Sequence, residues 1–228
     1  MQGYPTGPSG PETLLTPRAP AVVAACARLS SGNRPCGGES ECVISRALNA
    51  LRWRWRCRQA VTRARLGTDA SLSRVGIQRV LVVCYGNIYR SPLVAEALRR
   101  RCAGRIEFRS SGFHPRGGRH CPERHVAMCA DRGIDLSGHR SSVVQPADVA
   151  WADLVVVMDR HNWQALQRIG ARDDRIAWLG VLDGGPIEIP DPYALDDESA
   201  RRVLARLEDC AARLADRLVG PAVDDAAG

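Results

Sequence analysis

The sequence predicts an α/β fold in three layers, a central parallel sheet with helices on both faces. Three observations carry this. Val80-Leu81-Val82-Val83 is a continuous apolar run rich in β-branched residues, the pattern of a strand buried on both of its faces. Strand-like and helix-like stretches then alternate to the end of the chain, the order that builds a parallel sheet with crossover helices. The last helical stretch repeats Val203, Leu207, Cys210, Leu214 and Leu218 at intervals of three and four, the spacing of one buried stripe.

The elements follow in order. A strand begins at Arg79, and a helix follows at once, with Pro92 suited to its first turn and Leu93, Ala97 and Leu98 on its apolar face. A short strand is expected around Ile106 to Arg109, then a helix near Pro122 to Asp131 ended by Gly133. Further strands are expected at Leu154 to Met158 and Ile176 to Leu179, separated by a helix from His161 to Ile169. In such a sheet, ligands bind beyond the carboxyl ends of the strands.

The 228 residues are 45% hydrophobic, enough for a substantial core. No apolar run reaches the ~18 to 20 residues of a membrane-spanning helix. Every basic residue is Arg, and the net charge of +7 is unevenly placed. Residues 1–77 hold 11 Arg against 4 acids, whereas residues 78–228 hold 21 of each. The basic pI therefore belongs to the N-terminal third, and no nucleic-acid ligand is expected for the neutral remainder. Residues 1–77 are expected to form a basic, flexible extension and residues 78–228 the domain. Residues 1 to 40 are rich in Pro, Gly, Ser and Ala with no period. From Val43 to Leu66 the chain has the pattern of a basic helix with Leu48, Leu51 and Trp55 on one face, read either as an interfacial anchor or, preferably, as a solvated leader.

Nine cysteines without a C-x-x-C spacing make neither a disulfide scaffold nor a zinc site, so reduced thiols, a cytoplasmic location and no metal or other cofactor are expected. Val23-Ala24-Ala25-Cys26 resembles a lipoprotein cleavage site, but Pro17 and Pro20 break the short apolar stretch before it, so a working signal is not expected.

The chemistry concentrates between the first strand and its helix, in Cys84-Tyr85-Gly86-Asn87-Ile88-Tyr89-Arg90-Ser91. A loop of this length can turn its backbone N–H groups toward one point, with Gly86 expected to supply a conformation closed to other residues. The helix starting near Ser91 adds its positive end, and Arg90 offers a planar fork matched to two phosphate oxygens. The same field favours the thiolate form of Cys84, a nucleophile inside an oxyanion cradle. Cys57 and Arg63 share the spacing but lack the glycine, the serine after the arginine, and a preceding strand.

This segment resembles the phosphate-binding loop of the low-molecular-weight protein tyrosine phosphatases, C-x-G-N-x-C-R-S-P. The resemblance continues through Ser110-Ser111-Gly112, Gly133 to His139 with Arg140 and Ser141, Asp153 to Asp159 with Asn162, and Pro190-Asp191-Pro192-Tyr193. It spans about residues 78 to 219, and the run Glu188 to Tyr193 looks most like bacterial members linked to exopolysaccharide synthesis. It implies that Cys84 attacks phosphorus, Arg90 clamps the phosphoryl group, Ser91 donates to the thiolate and Asn87 holds the loop. Tyr85, Gly86, Ile88 and Tyr89 would line the cradle, and Tyr193 would stack on the substrate ring. Asp191 matches the general acid. On residue type alone, Asp191 between two prolines could equally be a rigid turn; no histidine of the neutral part stands in a comparably fixed sequence setting to replace it.

Two departures from the family pattern carry consequences. Tyr89 stands where many members have a second cysteine, which excludes a disulfide inside the loop. Ile88 stands where members acting on phosphoarginine tend to have Thr, which favours phosphotyrosine. The expected partner is a phosphotyrosine protein, a bacterial tyrosine autokinase by family analogy. The alternatives are an arsenate reductase of the same fold, whose two relay cysteines Cys121 and Cys129 do not match in placement or spacing, and a non-catalytic phosphotyrosine-binding module.

Overall fold

The computed structural model describes residues 39–219. The Pro/Gly-rich segment up to residue 38, with the motif at Cys26, lies outside the described residues. The chain divides into two units, Met1–Ala50 and Leu51–Gly228. The described residues of the first unit, 39–50, are helical, and the second unit holds the sheet.

The sheet has four parallel strands, β1 (Arg79–Cys84), β2 (Glu107–Gly112), β3 (Leu154–Val157) and β4 (Ile176–Trp178). Their spatial order is β2-β1-β3-β4. The crossover helices are α2 (Arg90–Cys102), α3 (Glu123–Ala130), α4 (Pro146–Trp151) and α5 (Arg160–Arg168). The long helix α6 (Asp197–Val219) closes the described chain. Strand β1 lies centrally, with Val80 opposite Phe108 on one side and Leu154 on the other. Its side chains alternate between two cores. Val80, Val82 and Cys84 pack with Leu93 and Leu98 of α2 and Leu207 and Leu214 of α6, whereas Leu81 and Val83 pack with Val149, Val155 and Leu166. Because both faces are covered, the strand tolerates no polar alternation, and each fully buried Val or Leu contributes roughly 1.5–3 kcal/mol. In α6, Val203, Leu207, Cys210 and Leu214 are buried as the stripe predicts, and Leu218 is partly buried. Helix α4 has no counterpart in the sequence reading. Six residues give too short a window for a period to show.

Helix α1 (Glu39–Leu72) is longer than the basic helix read from Val43 to Leu66, and its last turns are seated on the sheet. Ala64, Thr68, Ser71 and Leu72 are buried. Thr68 Oγ1 accepts the N–H of Trp178 at 2.9 Å, and Ser71 Oγ donates to the carbonyl of Ile176 at 3.1 Å. These are outward-facing backbone groups of β4, the edge strand, which two hydroxyls therefore cap. Arg65 donates to the carbonyls of Gly184 and Gly185, 3.0 Å each. The sequence reading assigns these helical residues to the extension; by their contacts they lie in the unit that starts at Leu51. Leu51 and Trp55, farther up the helix, are exposed.

Candidate active site

Strand β1 ends at Cys84 in the middle of the sheet, and α2 begins six residues later at Arg90. Between them the loop turns its carbonyls outward, where four are gripped. Tyr85 O accepts the amides of Phe113 and His114 at 2.9 Å, and Gly86 O accepts Arg119 Nη2 at 2.5 Å. Asn87 O accepts His139 Nε2 at 2.8 Å, and Tyr89 O accepts His125 Nε2 at 3.0 Å. In a trans peptide the N–H points opposite the C=O, so outward carbonyls aim the amides of Gly86, Asn87, Ile88 and Arg90 inward. The Asn87 N–H meets Cys84 Sγ at 3.2 Å.

The left-handed residue of the loop is Asn87, at φ 50°, and not Gly86, from which the sequence reading expects the special conformation. Asn87 tolerates that backbone because its side chain is tied on both ends, donating to Ser91 Oγ at 2.9 Å and Ser110 Oγ at 3.0 Å and accepting the Ser142 N–H at 2.8 Å. The glycine that the loop requires most is Gly112, where a Cβ would stand 2.7 Å from Tyr85 O and 2.9 Å from Asn87 N. Ser91 Oγ lies 3.0 Å from Cys84 Sγ. Since that oxygen accepts from Asn87, its own proton is free to point at the sulfur.

Arg90 enters the site from the first turn of α2 with 3% of its side chain exposed. Its Nη1 donates to Asp159 Oδ2 at 2.7 Å and to the carbonyl of Ile189 at 3.0 Å, and its Nη2 to Asp191 Oδ2 at 2.7 Å. Burial works against the guanidinium charge, but Cys84, Asp191 and Asp159 outweigh it and hold the pKa above its ordinary value. Nε is buried and bonds nothing among the described residues, a donor suited to an anion. Asp191 is aimed by its turn, since Oδ1 accepts the Tyr193 N–H at 3.1 Å and caps the short 3₁₀ segment Pro192–Ala194. Tyr85 and Tyr193, 55% and 68% exposed, stand at the mouth, with Ile88 half-buried and Cys84 only 1% exposed below.

The structure thus places Cys84, the loop Tyr85 to Tyr89, Arg90, Ser91, Asp191 and Tyr193 around one site. It adds Asp159, Gly112 and the outer donors Arg119, His125 and His139, to which the sequence reading gives no role. His125 is buried at 1% exposure and His139 bonds the loop, settings that the sequence alone does not show. Burial lowers both their pKa values, that of His125 to about 4. Burial also pushes the Cys121 and Cys129 thiols up to about 12. The described residues hold no cluster of metal-ligating side chains and no helix long and apolar enough to cross a membrane.

A ring of inward amides and one guanidinium around a thiol, at the carboxyl end of a parallel sheet, defines an oxyanion-binding site of the α/β class. The family model described as low molecular weight phosphotyrosine protein phosphatase matches residues 79–221, and the chain belongs to that family of enzymes. A probable low molecular weight protein-tyrosine-phosphatase EpsP of Ralstonia nicotianae is 36% identical over 118 residues, covering 51% of this chain and 79% of that protein. The crystal structure of the tyrosine phosphatase Wzb from Escherichia coli K30 in complex with sulphate aligns with a TM-score of 0.58 at 30% identity, over 63% of this chain and 99% of that one. A protein-arginine-phosphatase of Geobacillus stearothermophilus is 29% identical over 142 residues, 61% of this chain and 95% of that protein.

Proposed function

We propose that the protein hydrolyses phosphotyrosine in proteins through a phosphocysteine intermediate. The observation that carries this reading is the convergence of Cys84, Arg90 and Asp191, with Arg90 Nη2 bonded to Asp191 and Cys84 Sγ bonded inside the loop. The Cys84 thiolate attacks phosphorus while the loop amides and Arg90 hold the three non-bridging oxygens, whose charge develops in the transition state. Asp191 protonates the departing phenolate, then as carboxylate takes a proton from the water that cleaves the phosphorus–sulfur bond and releases phosphate. Ser91 stabilises the thiolate on each side of the cycle. A deeply set sulfur between Tyr85 and Tyr193 favours a long aryl phosphate over phosphoserine, and the apolar Ile88 favours phosphotyrosine over phosphoarginine.

The protein substrate proposed by family analogy is a bacterial tyrosine autokinase met in the cytoplasm. Arsenate reduction is disfavoured because Asp191 is retained and because Cys121 and Cys129 are held as thiols by burial. The test is Cys84→Ser with phosphotyrosine, phosphoserine, phosphoarginine and arsenate as alternatives. Turnover confined to aryl phosphate and abolished in the variant, with a phosphoryl adduct on Cys84 seen by mass spectrometry of quenched wild type, is expected. Turnover retained by Cys84→Ser, or preferred use of phosphoarginine or arsenate, would overturn the reading.

A further inference from the structure

His125 in α3 reaches the nucleophile loop, yet the reaction as described gives it no part. Its Nε2 lies 3.0 Å from Tyr89 O, and its ring leans on the Tyr89 ring with centroids 4.6 Å apart at 45°. Cys129 Sγ, one turn later on the same helix, lies against the ring, 3.7 Å from Nδ1 and 3.6 Å from Nε2. Burial keeps the imidazole neutral and the thiol protonated around pH 7. A neutral imidazole donates from one nitrogen only, and the carbonyl at Nε2 requires the proton there. The Tyr89 carbonyl thereby fixes the tautomer, with Nε2 protonated and Nδ1 bare.

The consequence falls on the next peptide. With Tyr89 C=O held outward, the trans peptide sends the Arg90 N–H inward, and no described protein group accepts from it. We infer that His125 is a positioning residue for the anion cradle: through the Tyr89 carbonyl it aims the amide of Arg90, so that this residue meets the anion with backbone and side chain together. The other three outward carbonyls are gripped from residues 113–139 outside α3. Only the Tyr89 carbonyl is anchored to that helix. The Tyr89 ring extends the anchor, since its other neighbour is Tyr193, edge-on at 5.9 Å and two residues from Asp191.

The inference rests on the proposed phosphoryl-binding role of the loop, and its test separates the two. His125→Met keeps an apolar side chain of similar bulk but no donor; His125→Gln restores an N–H donor. Inorganic phosphate binding is measured by calorimetry on the full chain, beside hydrolysis of p-nitrophenyl phosphate and a thermal melt. Misaiming a donor is milder than deleting one, which costs ~10²–10³ in kcat. His125→Met is expected to weaken phosphate about tenfold and to lower kcat/KM by about as much, with His125→Gln recovering most of both. A merely structural histidine would lower the melting temperature while leaving phosphate affinity of the folded protein unchanged, and that result overturns the inference. Should His125→Met not fold, the Gln variant decides: affinity within about threefold of wild type supports it, and a tenfold loss overturns it. Wild type that binds phosphate without turnover overturns the hydrolytic reading alone, because the affinity comparison still stands.

Discussion

Asp159 Oδ2 stands 2.7 Å from Nη1 of Arg90, a bond between residues 69 apart in the chain. The other oxygen, Oδ1, accepts the Asn162 N–H at 2.8 Å and caps α5. One carboxylate therefore starts a helix and orients the buried guanidinium. Asp159→Asn keeps a capping oxygen but removes the charge, and is expected to raise KM and weaken phosphate about tenfold, with little loss of stability. Asp159→Ala should show the same functional loss and lose a further ~1 kcal/mol of stability with the cap. Steady-state kinetics and urea unfolding check both, and a wild-type KM in the Asn variant would remove Asp159 from the site.

Asp191→Asn is expected to slow aryl phosphates of poor leaving group by ~10²–10⁴, and those of good leaving group far less, because an activated phenolate needs little protonation. A series of substituted phenyl phosphates measures this directly. Equal losses across the series would leave Asp191 as a partner of Arg90 only.

His125 couples folding to acid. Its pKa is lowered from 6.5 to about 4 in the folded protein, mainly by burial, so the unfolded chain binds the proton first. Stability is therefore intact above pH 6.5 and falls as the pH drops toward 4, by about 3 kcal/mol in total from this residue. His139, also lowered by burial, adds in the same direction. Asp183, held below its ordinary 3.8 by Arg206, loses its contribution only at lower pH. Urea midpoints at pH 7 and pH 4.5 should differ strongly for wild type and less for His125→Gln. Equal slopes would place the acid sensitivity elsewhere.

The cap on β4 predicts the effect of truncation. All residues assigned to the chemistry lie between Cys84 and Tyr193, so a chain starting at residue 78 retains the site. It also loses the hydroxyls of Thr68 and Ser71, leaving the Trp178 N–H and the Ile176 carbonyl of an edge strand without their partners. With water in place of each hydroxyl the net loss is about 0.5–1.5 kcal/mol per bond, and the uncovered edge is a template for pairing with a second chain. A protein starting at 78 is expected to be active at low concentration, to melt earlier, and to self-associate on size-exclusion chromatography. One starting at 51 should match the full chain, and identical melting of all three would show that the caps contribute nothing.

How far the sequence reveals this molecule depends on the range of the interaction concerned. Val80 to Val83 and the stripe of α6 announce themselves because burial on a strand or helix writes a local period. The nucleophile loop is legible because an anion cradle needs its residues consecutive. Asp159 is not, since its link to Arg90 exists only after β1 and β3 pair. Seating of α1 on β4 is hidden for another reason: it uses Ala64, Thr68 and Ser71, whose small and hydroxyl side chains write no apolar stripe. His125 escapes because a lone histidine in a short helix carries no pattern, and its carbonyl partner is invisible in sequence.

The same cap sets an order on synthesis. Ser71 and Thr68 meet backbone groups 105 and 110 residues farther along. At ~5–20 residues per second, the helix leaves the ribosome roughly 5–20 s before the strand it will cover exists. Through that interval its hydroxyls are satisfied by water, and they exchange water for protein only when β4 has been added to the sheet. Docking of α1 is thus a closing event, one that a nascent chain reaches only after the strand order is complete.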